Sequence, residues 1–185
     1  MAEKAKKMLM LGLGVPEEGT RLSDIVKHIK PEGKIGLAAT PTYLEKALKA
    51  IELEKKWYSG KLNESEKGEL SRYFKEINAD FRTIVKEILS VKAKPVALHD
   101  EEIVKQINKL GELMRLGKNT NYDLVDKKLV EELKPEFTDK YFEASRRLLE
   151  NAKKNKVDVA IMPARHLKDI RKIAGKDPSI EFKKV

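Results

Sequence analysis

The predicted fold is decided by two short stretches, KIGLAAT at residues 34–40 and KPVALHD at residues 94–100. Each is an apolar run that ends at a residue suited to capping a helix, a threonine in the first and an aspartate in the second. The stretches lie about 60 residues apart, and the sequence that follows each of them also aligns at that spacing. We therefore predict an internal repeat, with copies at residues 34–89 and 94–149.

The predicted repeat unit is a helix, a glycine turn and a second, longer helix. After each cap, apolar residues recur at spacings of three and four, which is the pattern of one buried helix face. The first helix of each copy is expected to stop near a glycine, Gly60 in one and Gly117 in the other. Pro135 interrupts the longer helix of the second copy near its start and predicts a kink or a break there. The two helical hairpins are expected to bury their apolar faces against each other.

Segments outside the repeats predict strands. Residues 157–162 are β-branched and apolar, end at Pro163, and are followed by a helix pattern that closes at Gly175. Residues 179–183 alternate in polarity and are expected to form a short edge strand. Near the start of the chain, residues 8–15 are expected to form another strand.

A helical pattern at residues 22–29 follows that first strand, and residues 35–39 are expected to form the next one. Because isolated strands are unstable, we predict that the terminal segments gather into a small sheet with the two hairpins inserted. The fold class is thus a helix-rich α/β fold in a single domain, residues 1–185. The alternative is a mainly α fold, in which residues 8–13 extend an N-terminal helix.

Composition excludes several classes of protein. The 185 residues contain no cysteine, which excludes disulfide frameworks, thiolate zinc sites and cysteine nucleophiles, and suggests a reducing compartment such as the cytoplasm. No apolar run approaches the roughly 18 to 20 residues that span a bilayer, so we expect no membrane insertion. Charged residues, mainly lysine and glutamate, make up 37% of the chain, which is typical of proteins from very hot environments.

The net charge of +9 favours acidic partners, and our first functional hypothesis is a non-enzymatic protein that binds nucleic acid or an acidic protein. Trp57 and Tyr58 stand among lysines and could stack on unpaired bases, although a tryptophan at a helix end is more often a core residue of a hairpin. The candidate nucleic-acid-binding residues on basic helical faces are Lys55, Lys56, Lys61, Arg146, Arg147, Lys168, Arg171 and Lys172.

The alternative hypothesis is an enzyme or sensor that binds a small phosphate- or carboxylate-bearing ligand. Ligands of parallel sheets bind where the carboxyl ends of strands meet the starts of helices, and helix starts offer free N–H groups. The residues expected at such corners are Thr20, Thr40, Thr42, Arg165 and His166.

No catalytic, metal or cofactor site is predicted. His99 and Asp100 form a pair of possible metal ligands, but only two other histidines, His28 and His166, occur in the chain, and helix capping explains Asp100. The serines have no nucleophile-elbow motif and no histidine nearby in the sequence, which gives nucleophilic catalysis no local support.

Overall fold

The computed structural model describes residues 7–13, 27–119 and 123–184, and within them it shows a parallel β-sheet covered by helices. The strands are β1 (Met8–Leu13), β2 (Lys34–Leu37), β3 (Lys94–Ala97), β4 (Val159–Pro163) and β5 (Ile180–Lys184). The helices are α1 (Pro41–Tyr58), α2 (Glu64–Glu76), α3 (Ala79–Ser90), α4 (Glu101–Asn119), α5 (Asp123–Asn155) and α6 (Ala164–Ala174). The predicted helix-rich α/β fold is confirmed. The mainly α alternative is wrong, since Met8–Leu13 is a strand.

The five strands lie in the order β3-β2-β4-β1-β5. All four pairings are parallel, with Leu9 opposite Val159 and Met8 opposite Ile180 in the two pairings of β1. Strand β5 lies at one edge, as predicted. Strand β3, which the sequence analysis did not identify, lies at the other edge, where Pro95 is tolerated because an edge strand has backbone groups without a ladder partner.

The sheet carries a separate hydrophobic core on each face. Odd-numbered strand residues such as Leu11, Ile35 and Ile161 pack with α1 and α3, and even-numbered ones such as Met10 and Met162 pack with α5 and α6. The expected packing of one helical hairpin against the other is therefore wrong. The connection from β2 leads outward to the edge strand β3, whereas the connection from β3 leads back inward to β4. Because both crossovers are right-handed, their opposite directions place their helices on opposite faces of the sheet.

Helix boundaries agree with the sequence analysis in part. Helix α1 ends at Tyr58, just before Gly60, which has a positive φ of 68°. The second helix of the first copy is split, because Ile77 is extended and the side chain of Asn78 caps α3.

In the second copy, α4 continues past Gly117 to Asn119 and α5 continues through Pro135, so the expected stop and break do not occur. A proline removes one helical hydrogen bond, and the packing of α5 along α4 and α6 outweighs that loss. The strands of the two copies pair in the register of the sequence alignment, Lys34 opposite Lys94, while the duplication itself stays a prediction.

Helix α5 is much longer than the sheet is high. Its 33 residues measure about 50 Å, whereas strands of four to six residues measure roughly 13 to 20 Å. The helix ends just before the start of β4, so its first half extends beyond the carboxyl edge of the sheet, alongside α4. Among the described residues, no helix has both the length and the apolar character needed to cross a membrane.

Candidate functional site

The segments that follow β2, β3 and β4 meet at the carboxyl edge of the sheet. The backbone N–H of His99 donates to the carbonyl of Ala39 at 3.0 Å, and the N–H of Ala38 donates to that of Ile161 at 3.0 Å. Strands β2 and β4 are neighbours, yet the chain leaves them in opposite directions, toward β3 and toward β5. This is the topological switch point at which parallel sheets bind ligands.

A glycine lets the segment after β3 approach β2 closely. A Cβ atom on Gly36 would lie 2.5 Å from Cδ1 of Leu98, which is fully buried. The backbone of Leu98 is also fixed, since its N–H donates to the carbonyl of Leu37 and its carbonyl accepts from the side chain of Asn151 at 2.9 Å. These contacts fix the position of the next residue, His99.

Two histidines and a tyrosine form a stack at this edge. The ring of Tyr141 lies nearly parallel to that of His166 at 4.3 Å, and the ring of His99 contacts His166 at a centroid distance of 4.9 Å with the two planes tilted by 58°. The three side chains come from the end of β3, from α6 and from the middle of α5. The carboxyl edge and the long helix are thus joined through aromatic contacts.

The side chain of Ser145 orients His166 from α5. Its Oγ lies 2.8 Å from Nδ1 of His166 and donates to the carbonyl of Tyr141 at 3.0 Å. Both contacts are satisfied when Nδ1 carries the proton and donates to Ser145, which leaves Nε2 of His166 as an acceptor.

The same contacts do not form a nucleophilic triad. In a triad the histidine lies between the serine and the carboxylate. Here Ser145 is fully buried and lies between His166 and Asp169, whose Oδ2 is 3.4 Å from the hydroxyl. The serine is therefore a positioning group for the imidazole.

Burial keeps both imidazoles neutral at pH 7. It lowers the pKa of His99 to about 4. It also lowers the pKa of His166 to about 3, with smaller contributions from His99 and the positive charge of Arg165. Nδ1 of His99 is buried and has no hydrogen-bond partner among the described residues. A buried polar atom without a partner is uncommon and suggests that water or a ligand completes its hydrogen bonding.

Arg165 supplies the positive charge next to the stack. Its guanidinium lies 4.1 Å from the ring centroid of Tyr141 and 5.4 Å from that of Phe137. The side chain belongs to the first turn of α6, is exposed, and forms no ion pair with a carboxylate of the described residues. A guanidinium that packs against aromatic rings and has no carboxylate partner keeps N–H groups free for a carboxylate or a phosphate.

The residues expected to bind an anion separate into two groups. Arg165 and His166 lie together at the carboxyl edge, as described above. Thr40 instead caps α1 by accepting from the N–H of Tyr43, and the N–H of Thr42 donates to the carboxylate of Glu101 at 2.8 Å. The start of α1 is therefore filled by a carboxylate of the protein itself, whose pKa is lowered by that bond. Thr20 lies outside the described residues.

The stack around His166 was not predicted from the sequence. His99 was considered only as a metal ligand together with Asp100, and Asp100 in fact caps α4 by accepting from the N–H of Ile103 at 3.2 Å. Within the described parts of the chain, no three histidine, aspartate or glutamate side chains cluster in a way that could hold a metal. One sequence pattern could have indicated the stack, since His99 and His166 each come within three residues after an apolar run and therefore at the carboxyl end of a strand.

The candidate nucleic-acid-binding residues lie on two separate surfaces. Lys55, Lys56 and Lys61 lie at or just after the end of α1, while the others belong to α5 and α6 on the opposite face of the sheet. Several of these side chains already form contacts. Lys56 pairs with Glu66, Arg146 with Glu150, Arg147 with Glu143 and Asp100, and Arg171 lies over Phe182. Lys168 and Lys172 are exposed on α6.

Comparison of the chain with protein-family models, with curated proteins and with solved structures finds no match in any of the three. No activity can therefore be transferred from a relative. The functional inference depends on the geometry at the carboxyl edge and on the surfaces of the helices.

Proposed function

We propose that the protein binds a small ligand that carries a phosphate or a carboxylate group, at the carboxyl edge of its sheet. The observation that carries this proposal is the guanidinium of Arg165. It is held over Tyr141 and Phe137, has no acidic partner among the described residues, and stands beside the two neutral histidines. An arginine in such a setting has its charge and its paired donors available for an anion.

The start of α6 supports the same ligand chemistry. Pro163 precedes the helix and provides no side-chain hydrogen bond to the first-turn N–H groups. Uncapped N–H groups and the positive end of the helix dipole favour a negatively charged group near Arg165. The start of α1, in contrast, is filled by Glu101. The favoured anion position is thus next to β4.

The histidines and the aromatic rings indicate which uncharged groups the ligand carries beside its anionic group. A neutral imidazole can donate from one nitrogen and accept at the other, which suits hydroxyl or amide groups better than a second negative charge. Phe137 and Tyr141 form an apolar wall that holds the arginine in one orientation, so that less side-chain entropy is lost on binding. We therefore expect an anion that also carries uncharged polar groups.

Thermal unfolding of the full chain tests the proposal. We would measure the melting temperature with inorganic phosphate, pyrophosphate, citrate and a sugar phosphate as separate probes. A ligand at about 100 times its dissociation constant adds about 2.7 kcal/mol to the free energy of unfolding. For a domain of this size we expect a rise of roughly 5 to 11 °C with at least one probe.

Two variants of the same helix locate the effect. Arg165→Ala should abolish the rise, whereas Lys168→Ala should retain it, because Lys168 is also exposed but lies one helical turn farther along and does not contact the rings of the stack. The proposal is wrong if no probe stabilises the wild type, or if both variants lose the response to the same extent.

A further inference from the structure

A second surface lies at the other end of α1, far from the carboxyl edge. Trp57 and Tyr58 are 52% and 77% exposed, so the expectation that Trp57 belongs to a hairpin core is wrong. Their rings stack on each other with centroids 5.6 Å apart and planes 20° apart. Large aromatic side chains with this much exposure are uncommon on protein surfaces and suggest a binding role.

The stacked pair lies between two grooves. Trp57 lines a groove of about 460 Å³ with Leu62, Leu70 and Phe74. Tyr58 lines another, of about 330 Å³, with Ile51 and Leu89. Each ring therefore contacts its neighbour and also lines an apolar groove.

Lysines surround both grooves. The carboxylates of Glu54, Glu64 and Glu66 are each matched by a lysine, at 2.7, 2.5 and 2.8 Å. Lys55, Lys61 and Lys75 form no ion pair with the described residues, which leaves the surface with uncompensated positive charge. Flat aromatic rings next to unpaired lysines match the two chemical parts of a nucleic-acid strand, its bases and its phosphates.

We propose that this surface, made of Trp57, Tyr58 and the two grooves beside them, binds single-stranded nucleic acid. One base stacks on the outer face of Trp57 and another base of the same strand on the outer face of Tyr58, so that the strand passes from one groove to the other across the ring pair. Lys55 and Lys61 contact the phosphates on either side. A duplex does not fit this mode, because its bases are already stacked and its faces are closed.

This surface is independent of the proposed anion site. Helix α1 has 18 residues, so Trp57 lies about 25 Å along the helix from Thr40 at its start. Loss of either binding activity leaves the other measurable, since Arg165 and Tyr58 are on different elements.

The test uses Trp57, the only tryptophan of the chain, as its own reporter. We would titrate the full chain with oligothymidylate and oligouridylate of about 15 nucleotides, at roughly 50 mM salt, and follow tryptophan fluorescence. Stacking should quench the emission. A duplex of equal length and polyglutamate serve as competing probes, and both should bind more weakly than the single strands.

Variants then separate stacking from charge. Tyr58→Ala keeps the reporter and should weaken binding by about five-fold to 160-fold, the range that corresponds to loss of one stacked base. Lys61→Ala should make the negative slope of log affinity against log salt shallower by about 0.7. Lys172→Ala, on the opposite face of the sheet, is the matched control and should leave both quantities unchanged.

Four results would overturn the proposal. They are the absence of quenching by either oligonucleotide, equal or tighter binding of the duplex, equal or tighter binding of polyglutamate, and a Tyr58→Ala variant that binds like the wild type. Circular dichroism of that variant should match the wild type, since Tyr58 is mostly exposed.

Discussion

At the scale of single residues, the histidine pair ties the stability of the protein to pH. In the unfolded chain each imidazole takes up a proton near pH 6.5, whereas in the folded protein burial lowers the pKa of His99 to about 4 and that of His166 to about 3. The unfolded state therefore binds more protons as the pH falls below 6.5. The free energy of unfolding should decrease there by up to about 1.4 kcal/mol per pH unit for each histidine.

Urea unfolding between pH 7 and pH 5 measures this slope. His99→Asn should reduce it by about half, because one of the two depressed histidines is removed while the carboxylates remain. Identical slopes for the wild type and His99→Asn would show that His99 is not held neutral by the fold.

At the scale of elements, α5 tolerates a proline in its interior, twelve residues after its first residue. Pro135 lies inside the helix and has no backbone N–H, so one helical hydrogen bond is missing there. Because the proline is exposed, its ring does not offset that loss with a buried apolar contact. We expect Pro135→Ala to raise the free energy of unfolding by about 1 to 3 kcal/mol, measured by urea denaturation. Lys134→Ala, at the neighbouring exposed position, should change it by less than about 0.5 kcal/mol. If Pro135→Ala leaves the free energy of unfolding unchanged or lowers it, the prediction is wrong, and the proline favours the native geometry of α5.

Most elements were predictable because their signals are local. The β-branched run before Pro163 and the glycine at 175 mark β4 and the end of α6, and both were found. The split between α2 and α3 was missed, because the helical periodicity of the apolar residues continues across it and only the cap at Asn78 marks the boundary. Strand β3 was missed as a strand because its four residues include a proline.

At the scale of the whole molecule, the position of each strand sets its local stability. Strands β1, β2 and β4 have a hydrogen-bonded neighbour on both sides, whereas β3 and β5 have one. Native-state hydrogen exchange should therefore be slowest for amides such as those of Leu11 and Ile161, and faster in β5. Protection of β5 equal to that of β4 would indicate that the sheet opens only as a unit.

The candidate site could be predicted only in part, for reasons of topology. Arg165 and His166 were found because they stand where a strand meets a helix start. Their contacts with His99 and Tyr141 depend on the strand order and on the reach of α5, which no local pattern records. The hydrogen bond from the N–H of Thr42 to the carboxylate of Glu101 also depends on the strand order and could not be predicted from a local pattern.

The interior position of β1 in the sheet, between β4 and β5, has a consequence for biosynthesis. The neighbours of this strand, β4 and β5, are made about 150 and about 170 residues after it. At roughly 5 to 20 residues per second, a ribosome needs about 10 to 30 seconds to deliver them. For that time β1 has neither of the strands that it pairs with, and Met10, which is fully covered in the finished protein, lacks the side chains of α5 and α6 that cover it, so the nascent chain is a natural client for a chaperone.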